Sequence, residues 1–314
     1  MKKITSILLS MLLLFACVNI SAQNTITVEL NANKLEFDTP PVNISDRVLV
    51  PVRAIFEAMG ATVLWDETTK TVTSTLGETT VTMTIDSDIL TVNDQKKTLD
   101  VSPTIVSDRT MVPARAVAES FGATVSWDAA NNKVEIFTED FLARAQDMKT
   151  HRSTKSLSTD GVHTASDFSI SYFDEDQYKI KINANDGTDF EIESAYKSDS
   201  PYYAVMSVRA DIYQGTDYPM TDEYAQSLAE STAQIVSATL VYGKVTTIGE
   251  DDFIEIHYKR PAISGNIDDH EAEVLIYTTV KNGVVYTITY THYGRVPKKV
   301  SADINYMINT LVIH

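Results

Sequence analysis

The chain is nearly devoid of cysteine: Cys17 is the one residue of that type in 314. It lies in an apolar N-terminal stretch, so the ordered remainder has no disulfide and must cohere by core packing. Glycine and proline are scarce, at 11 and 9 residues, which argues against low-complexity disorder over most of the length. Cations are outnumbered, with 26 Lys and Arg against 43 Asp and Glu and a formal net charge of −17. Nucleic acid is therefore not a partner, because binding there rests on cationic contacts to phosphate. Six histidines are present, with no His-x-His pair and none before His151. After the N-terminus no apolar run reaches the about 20 residues that a membrane-spanning helix needs.

What the N-terminus does hold is Met1-Lys2-Lys3 followed by an apolar run from Ile4 to about Ile20. A cationic start, an apolar core of roughly 13 residues and a small-residue exit at Ser21-Ala22 read as a signal peptide over residues 1–22. The protein is expected to be exported to the cell envelope, with no transmembrane anchor after leader cleavage. Two readings of Cys17 stand: removal with the leader, or lipidation within Leu14-Phe15-Ala16-Cys17, a loose lipobox that departs from the pattern at Phe15.

One stretch is written twice. Asp46-Arg47-Val48-Leu49-Val50-Pro51-Val52-Arg53-Ala54 returns 62 positions later as Asp108-Arg109-Thr110-Met111-Val112-Pro113-Ala114-Arg115-Ala116. At the same offset Gly60-Ala61-Thr62-Val63-Leu64-Trp65-Asp66 returns as Gly122-Ala123-Thr124-Val125-Ser126-Trp127-Asp128. Internal repetition at a fixed period marks supersecondary units that share a core. Each unit reads as strands with Asn/Asp turns, a short helix and a further strand. Pro51 and Pro113 sit where a helix can begin, and Gly60 and Gly122 where it stops. Val52, Ile55, Phe56 and Met59 form one apolar stripe of the first helix.

The polar residues kept in both copies have a structural reading. Arg53 and Glu57, like Arg115 and Glu119, share a helix face as surface ion pairs. Asp46 and Asp108 cap the turn before each helix and pair with Arg47 and Arg109. Trp65 and Trp127, each followed by an aspartate (Asp66, Asp128), end apolar strands and belong to the core. A second reading gives the arginines to a ligand and makes the tryptophans a carbohydrate platform.

This doubled pattern closely resembles the copper amine oxidase N-terminal-like, or stalk, domain of exported proteins of Gram-positive bacteria. The match spans about residues 26–138, about a third of the chain. The resemblance implies a non-catalytic extracellular module joined to varied partner domains. An oxidase is not implied: Asn305-Tyr306-Met307 lacks the acidic third residue of the quinone-forming motif, and a copper histidine set is missing.

The expected architecture is α+β: a duplicated strand-hairpin and short-helix domain over 24–138, a linker over 139–166 that opens with a helix-like segment carrying Phe141, Leu142, Ala145 and Met148 and turns Ser/Thr-rich from Lys149, and an antiparallel sheet domain with two packing helices over 167–314. Helices fit 222–236 and the segment capped by Ser301. The order of these last elements is similar to a PsbP-like α/β/α sandwich, whose members mostly bind partners. Ser194-Ala195-Tyr196-Lys197 matches Ser-x-x-Lys, without its companion motifs and on a strand pattern. Asp268-Asp269-His270-Glu271 reads as a solvated loop, with metal binding as the alternative. No catalytic residue, metal or cofactor is assigned. The expectation is an exported non-catalytic envelope protein whose stalk domain serves attachment or presentation and whose C-terminal domain binds a partner, with a cell-wall component or another envelope protein as the partners expected. The alternatives are a lipid-anchored solute-binding or signalling lipoprotein, and a hydrolase with an unrecognised site. Oligomeric state does not follow from the sequence.

Overall fold

The computed structural model describes residues 25–129, 131–159, 162–182, 188–194, 204–215, 218–262, 271–294 and 296–314. The leader, Cys17, the Asn185-Asp186-Gly187 turn, Ala195-Tyr196-Lys197 and Asp268-Asp269-His270 lie outside these residues. The chain divides into two units: one takes the residues up to Glu29 and Lys34–Ile136, the other Leu30–Asn33 and Phe137–His314.

The first repeat supplies β1 (Thr27–Leu30), β2 (Asn33–Lys34), β3 (Val42–Ile44), β4 (Arg47–Pro51), α1 (Val52–Ala58), β5 (Thr62–Asp66) and β6 (Thr71–Leu76), all in the first unit but for Leu30 and Asn33 at the unit boundary. After β7 (Thr79–Thr84) the second repeat supplies β8 (Ile89–Val92), β9 (Gln95–Thr98), β10 (Thr104–Val106), β11 (Arg109–Pro113), α2 (Ala114–Glu119), β12 (Thr124–Asp128) and β13 (Lys133–Phe137). The central sheet runs β10-β11-β4-β3. Its middle pair is antiparallel, with Leu49 against Pro113, Val50 against Val112 and Pro51 against Met111. Shifting by the 62-residue offset exchanges the two outer pairs and returns Val50–Val112 to itself. A local two-fold axis therefore passes through that pair.

The flanking sheets run β12-β13-β1-β2 and β5-β6-β7-β8-β9. Each joins the end of one repeat to the beginning of the other, and β7 has no counterpart in the first of them. A single repeat thus completes neither sheet. Val52, Ile55 and Phe56 of α1 and Ala114, Val117 and Ala118 of α2 are buried, and Phe56 meets Phe121 edge-on at 4.9 Å. Pro51 and Pro113 fall one residue earlier than expected, as the N-cap and the last strand residue, with φ −59° suited to either role. Gly60 and Gly122 turn the chain out of each helix at φ 90° and 78°, a conformation cheap only for glycine.

The second unit begins with α3 (Glu139–Gln146) and the hairpin β14 (Lys149–Thr159) and β15 (Val162–Tyr172). The linker expected over 139–166 is thereby corrected. The hairpin pairs continuously from Lys149 with Tyr172 to Thr159 with Val162. Its apolar content is low because small hydroxyl residues take inward positions, with Ser153 and Ser166 buried beside Leu157.

Next come β16 (Tyr178–Ile182), β17 (Phe190–Ser194), β18 (Ala204–Ile212), α4 (Asp222–Ile235), β19 (Thr239–Ile248), β20 (Asp251–Arg260), β21 (Ala272–Lys281) and β22 (Val284–Tyr293). The chain closes with α5 (Lys298–Ile308) and β23 (Val312–Ile313). Seven strands form one sheet in the order β16-β17-β18-β22-β21-β20-β19. Ala225, Ala229 and Ala233 of α4 bury against Ile254, Ile256 and Val274. Val300, Ile304 and Met307 of α5 share the larger core with Phe168, Ile170, Phe190 and Ile288. Thr221 caps α4, its hydroxyl accepting from the Tyr224 amide at 3.2 Å. Ser301 is not a cap: the N-cap position falls four residues earlier, at Pro297, which fixes φ without a side-chain acceptor. Helices and antiparallel sheets coexist in an α+β arrangement. Among the described residues no helix is long and apolar enough to cross a membrane.

Candidate functional site: paired clefts in the repeat unit

Trp65 and Trp127 do not enter the core, which corrects the structural reading of both. Val125 of β12 is 8% exposed, whereas Trp127, two residues on along the same strand face, is 43% exposed. Trp65 is half-buried at the matching point of β5. Helices of seven and six residues are only about 10 Å long, enough to shield the valine and not the indole beyond it.

Each indole lines an open cleft. One, of about 820 Å³, carries Trp65, Arg53 and Glu57 from the first repeat and Ile105, Asp108 and Arg109 from the second. The other, of about 570 Å³, carries Trp127 and Arg115 from the second repeat and Asn43, Asp46 and Arg47 from the first. These residues correspond at the repeat offset, except that Glu119, the counterpart of Glu57, does not line the smaller cleft. The two-fold axis therefore generates two related clefts, and each is assembled from both repeats.

Ion pairs follow the same exchange. Arg47 donates through Nε and Nη2 to Asp100 Oδ2 at 2.8 and 2.6 Å. Arg109 donates to Asp38 Oδ2 through Nε at 2.8 Å and through Nη2. The Arg109 guanidinium holds the Asp38 carboxyl below its ordinary range. The carboxylates paired with Arg47 and Arg109 are Asp100 and Asp38, not the adjacent Asp46 and Asp108. The latter two occupy hairpin turns at φ 60°, after Ser45 and Ser107 at φ 51° and 48°, where paired left-handed residues match the strand twist. Arg47 Nη1 reaches the Asp46 carbonyl oxygen at 3.1 Å, and Arg109 Nη1 that of Asp108 at 3.2 Å. Arg53 faces Glu57 at 3.7 Å and Arg115 faces Glu119 at 3.6 Å, all exposed.

Asp66 shapes the β5–β6 turn by accepting from the Thr68 and Thr69 amides at 2.8 and 3.1 Å, and these amides lower its carboxyl pKa. Asp128 accepts from the Asn131 amide at 3.2 Å. The clefts differ at one edge. Glu67 accepts from Trp65 Nε1 at 2.7 Å and pairs with Lys70, and those two groups lower its pKa. Ala129 and Asn132 occupy the corresponding places near Trp127, so the second indole lacks that carboxylate. Asp38 and Asp100 were not singled out from the sequence, although they too stand 62 residues apart.

Other candidates fall in the second unit. Tyr306 lies on α5, packed against Phe137, Phe141 and Phe173, with Met307 buried beside it. Ser194 ends β17, and its buried hydroxyl accepts from the Ala204 amide at 2.9 Å. Strand register brings His257 and His292 to Glu273, at 3.8 and 3.1 Å, a grouping invisible in their linear spacing. Burial would raise the Glu273 carboxyl, but Lys259 and the two histidines hold it below its ordinary value. Among the described residues no group of His, Cys, Asp and Glu is arranged to hold a metal ion.

Residues 29–136 match the family model described as the copper amine oxidase N-terminal domain. No curated protein matches the chain. Among solved structures, the chain is similar to LpqN of Mycobacterium tuberculosis, described as involved in cell envelope biogenesis, at 8% identity and TM-score 0.33, covering 54% of this chain and 93% of that one. It is also similar to the PsbP protein (CyanoP) of Synechocystis sp. PCC 6803, at 11% identity and TM-score 0.32, covering 52% and 92%. A Bacteroides thetaiotaomicron protein is similar at 15% identity and TM-score 0.27, covering 47% and 45%. Likenesses of this size bear on neither ligand nor partner.

Proposed function

We propose that this is an exported, non-catalytic envelope protein whose repeat unit attaches it to a cell-wall component while the second unit contacts a partner. The paired clefts carry the reading. They set an indole, half-buried in one cleft and exposed in the other, beside guanidinium and carboxylate groups, a combination suited to holding a ligand and lacking a nucleophile–base pair. The leader pattern and the family match at residues 29–136 support the same placement. Retention of the mature protein on purified cell walls tests it. Wild type is expected to sediment with the walls, and Trp65→Ala/Trp127→Ala, checked for native circular dichroism, to remain in solution. Equal retention of the two proteins would remove the clefts from attachment.

A further inference from the structure

Resting on that attachment reading, we propose that the two clefts are paired subsites for one uncharged pyranose polymer, each indole stacking on a sugar ring. Charge argues first. In the larger cleft Arg109 is neutralised by Asp38 and Lys70 by Glu67, and in the smaller one Arg47 is neutralised by Asp100. Little cationic field remains for an anionic ligand, and the chain carries a net charge of −17 that repels polyanions.

Hydrogen-bonding chemistry argues next. A guanidinium beside a carboxylate offers donors next to acceptors, as Arg53 and Glu57 do at 3.7 Å in the larger cleft and Arg47 and Asp100 at 2.6 Å in the smaller. A hydroxyl group donates and accepts at once, so vicinal sugar hydroxyls satisfy such a pair where a single-sign ion does not. The flat, apolar indole takes the carbon-bound hydrogens of a pyranose face. Duplication supplies the third argument. A two-fold pair of like subsites matches a ligand that presents one unit repeatedly, and filling the first raises the effective concentration at the second. Glu67 fixes the edge of Trp65, so the larger cleft is the better organised of the two.

The only two tryptophans of the chain stand in these clefts, so intrinsic emission reports on them directly. Mature wild type, Trp65→Ala and Trp127→Ala are titrated with short and long N-acetylglucosamine oligomers, and with poly(glycerol phosphate). Expected are a change in emission from the remaining tryptophan of each variant, and a gain on the order of 10-fold or more for long oligomers in wild type that both variants lose. Emission that answers only poly(glycerol phosphate), or affinity independent of oligomer length, overturns the proposal. Silence toward the oligomers combined with cleft-dependent wall retention discards the ligand class and leaves attachment standing. Loss of cleft-dependent retention discards attachment itself.

Discussion

Replacing Asp303 by alanine removes a fully buried carboxylate from a charge cluster of the second unit. Its Oδ2 accepts from Arg144 Nη2 at 2.6 Å, the Tyr178 hydroxyl at 2.7 Å and Lys299 Nζ at 3.2 Å. Glu175 accepts from Arg144 Nε and Lys299 Nζ, both at 2.8 Å. The cluster thus ties α3, β16 and α5 together. Removing one member of a buried pair costs about 3–5 kcal/mol, since the survivor stays buried without its counter-charge. Arg144 is 19% exposed and keeps Glu175, while Lys299 is 44% exposed, so the lower end applies. A loss of about 3 kcal/mol lowers the melting midpoint of a unit this size by about 6–12 °C. Both tryptophans lie in the first unit, so their emission follows that unit, while far-UV circular dichroism also records the second. Asp303→Asn, which keeps an acceptor for Tyr178, is expected to fall between alanine and wild type. Arg144→Met/Asp303→Leu is expected to recover much of the loss, because an apolar pair leaves no stranded charge. An alanine variant within about 0.5 kcal/mol of wild type would refute the argument.

Gly243→Ala places a Cβ against the Ala225 carbonyl oxygen and 2.5 Å from the Ala229 Cβ, so α4 must lift from β19. About 1–3 kcal/mol of destabilisation is expected, and an unchanged midpoint would show that the helix shifts without cost. Burial lowers the pKa of His151 and of His257, so the unfolded chain takes up protons first as pH falls. The stability they contribute is full above about pH 6.5 and declines below it. His151→Phe, with a ring stacked like the present one on Phe190 at 5.7 Å, is expected to flatten that decline in denaturant titrations. A slope equal to wild type counts against His151. Fragments 25–86 and 87–138 are expected to be unfolded separately and to gain sheet structure when mixed, because both flanking sheets draw strands from each repeat. Folding of either fragment by itself would contradict the exchanged topology.

Periodicity made the repeat legible: an apolar stripe between Pro51 and Gly60, written again between Pro113 and Gly122, specifies two short helices whatever surrounds them. In the second unit, alternation along Tyr178–Ile182 and the Asn282-Gly283 turn, at φ 54° and 76°, likewise show in the linear chain. The end of β15 is legible in the alternation of Phe168, Ile170 and Tyr172, but β14 and the start of β15 are hidden because inward positions there hold Ser153 and Ser166 in place of large apolar residues. Composition then mimics a linker while the backbone pairs along its length. The grouping of His257, Glu273 and His292 depends on the register of three strands, which no spacing between the residues encodes.

The clefts illustrate a different gap. A repeat announces that every polar contact occurs twice, but not whether partners come from the same copy or the opposite one. Adjacent Asp46 and Arg47 invite a local pair, yet the turn sends the aspartate into a left-handed corner while the arginine starts β4. The self-pairing of Val50 with Val112 decides the matter. An antiparallel contact centred on equivalent residues makes the axis two-fold, and a two-fold axis brings the Arg47 of one copy to the Asp100 of the other. Asp38 and Asp100, spaced by the repeat offset but outside its conspicuous motif, are the trace this geometry leaves in the sequence. Isolated acids at the repeat spacing, set against the arginines of the opposite copy, are therefore the form in which an exchanged ion pair is written in a duplicated chain.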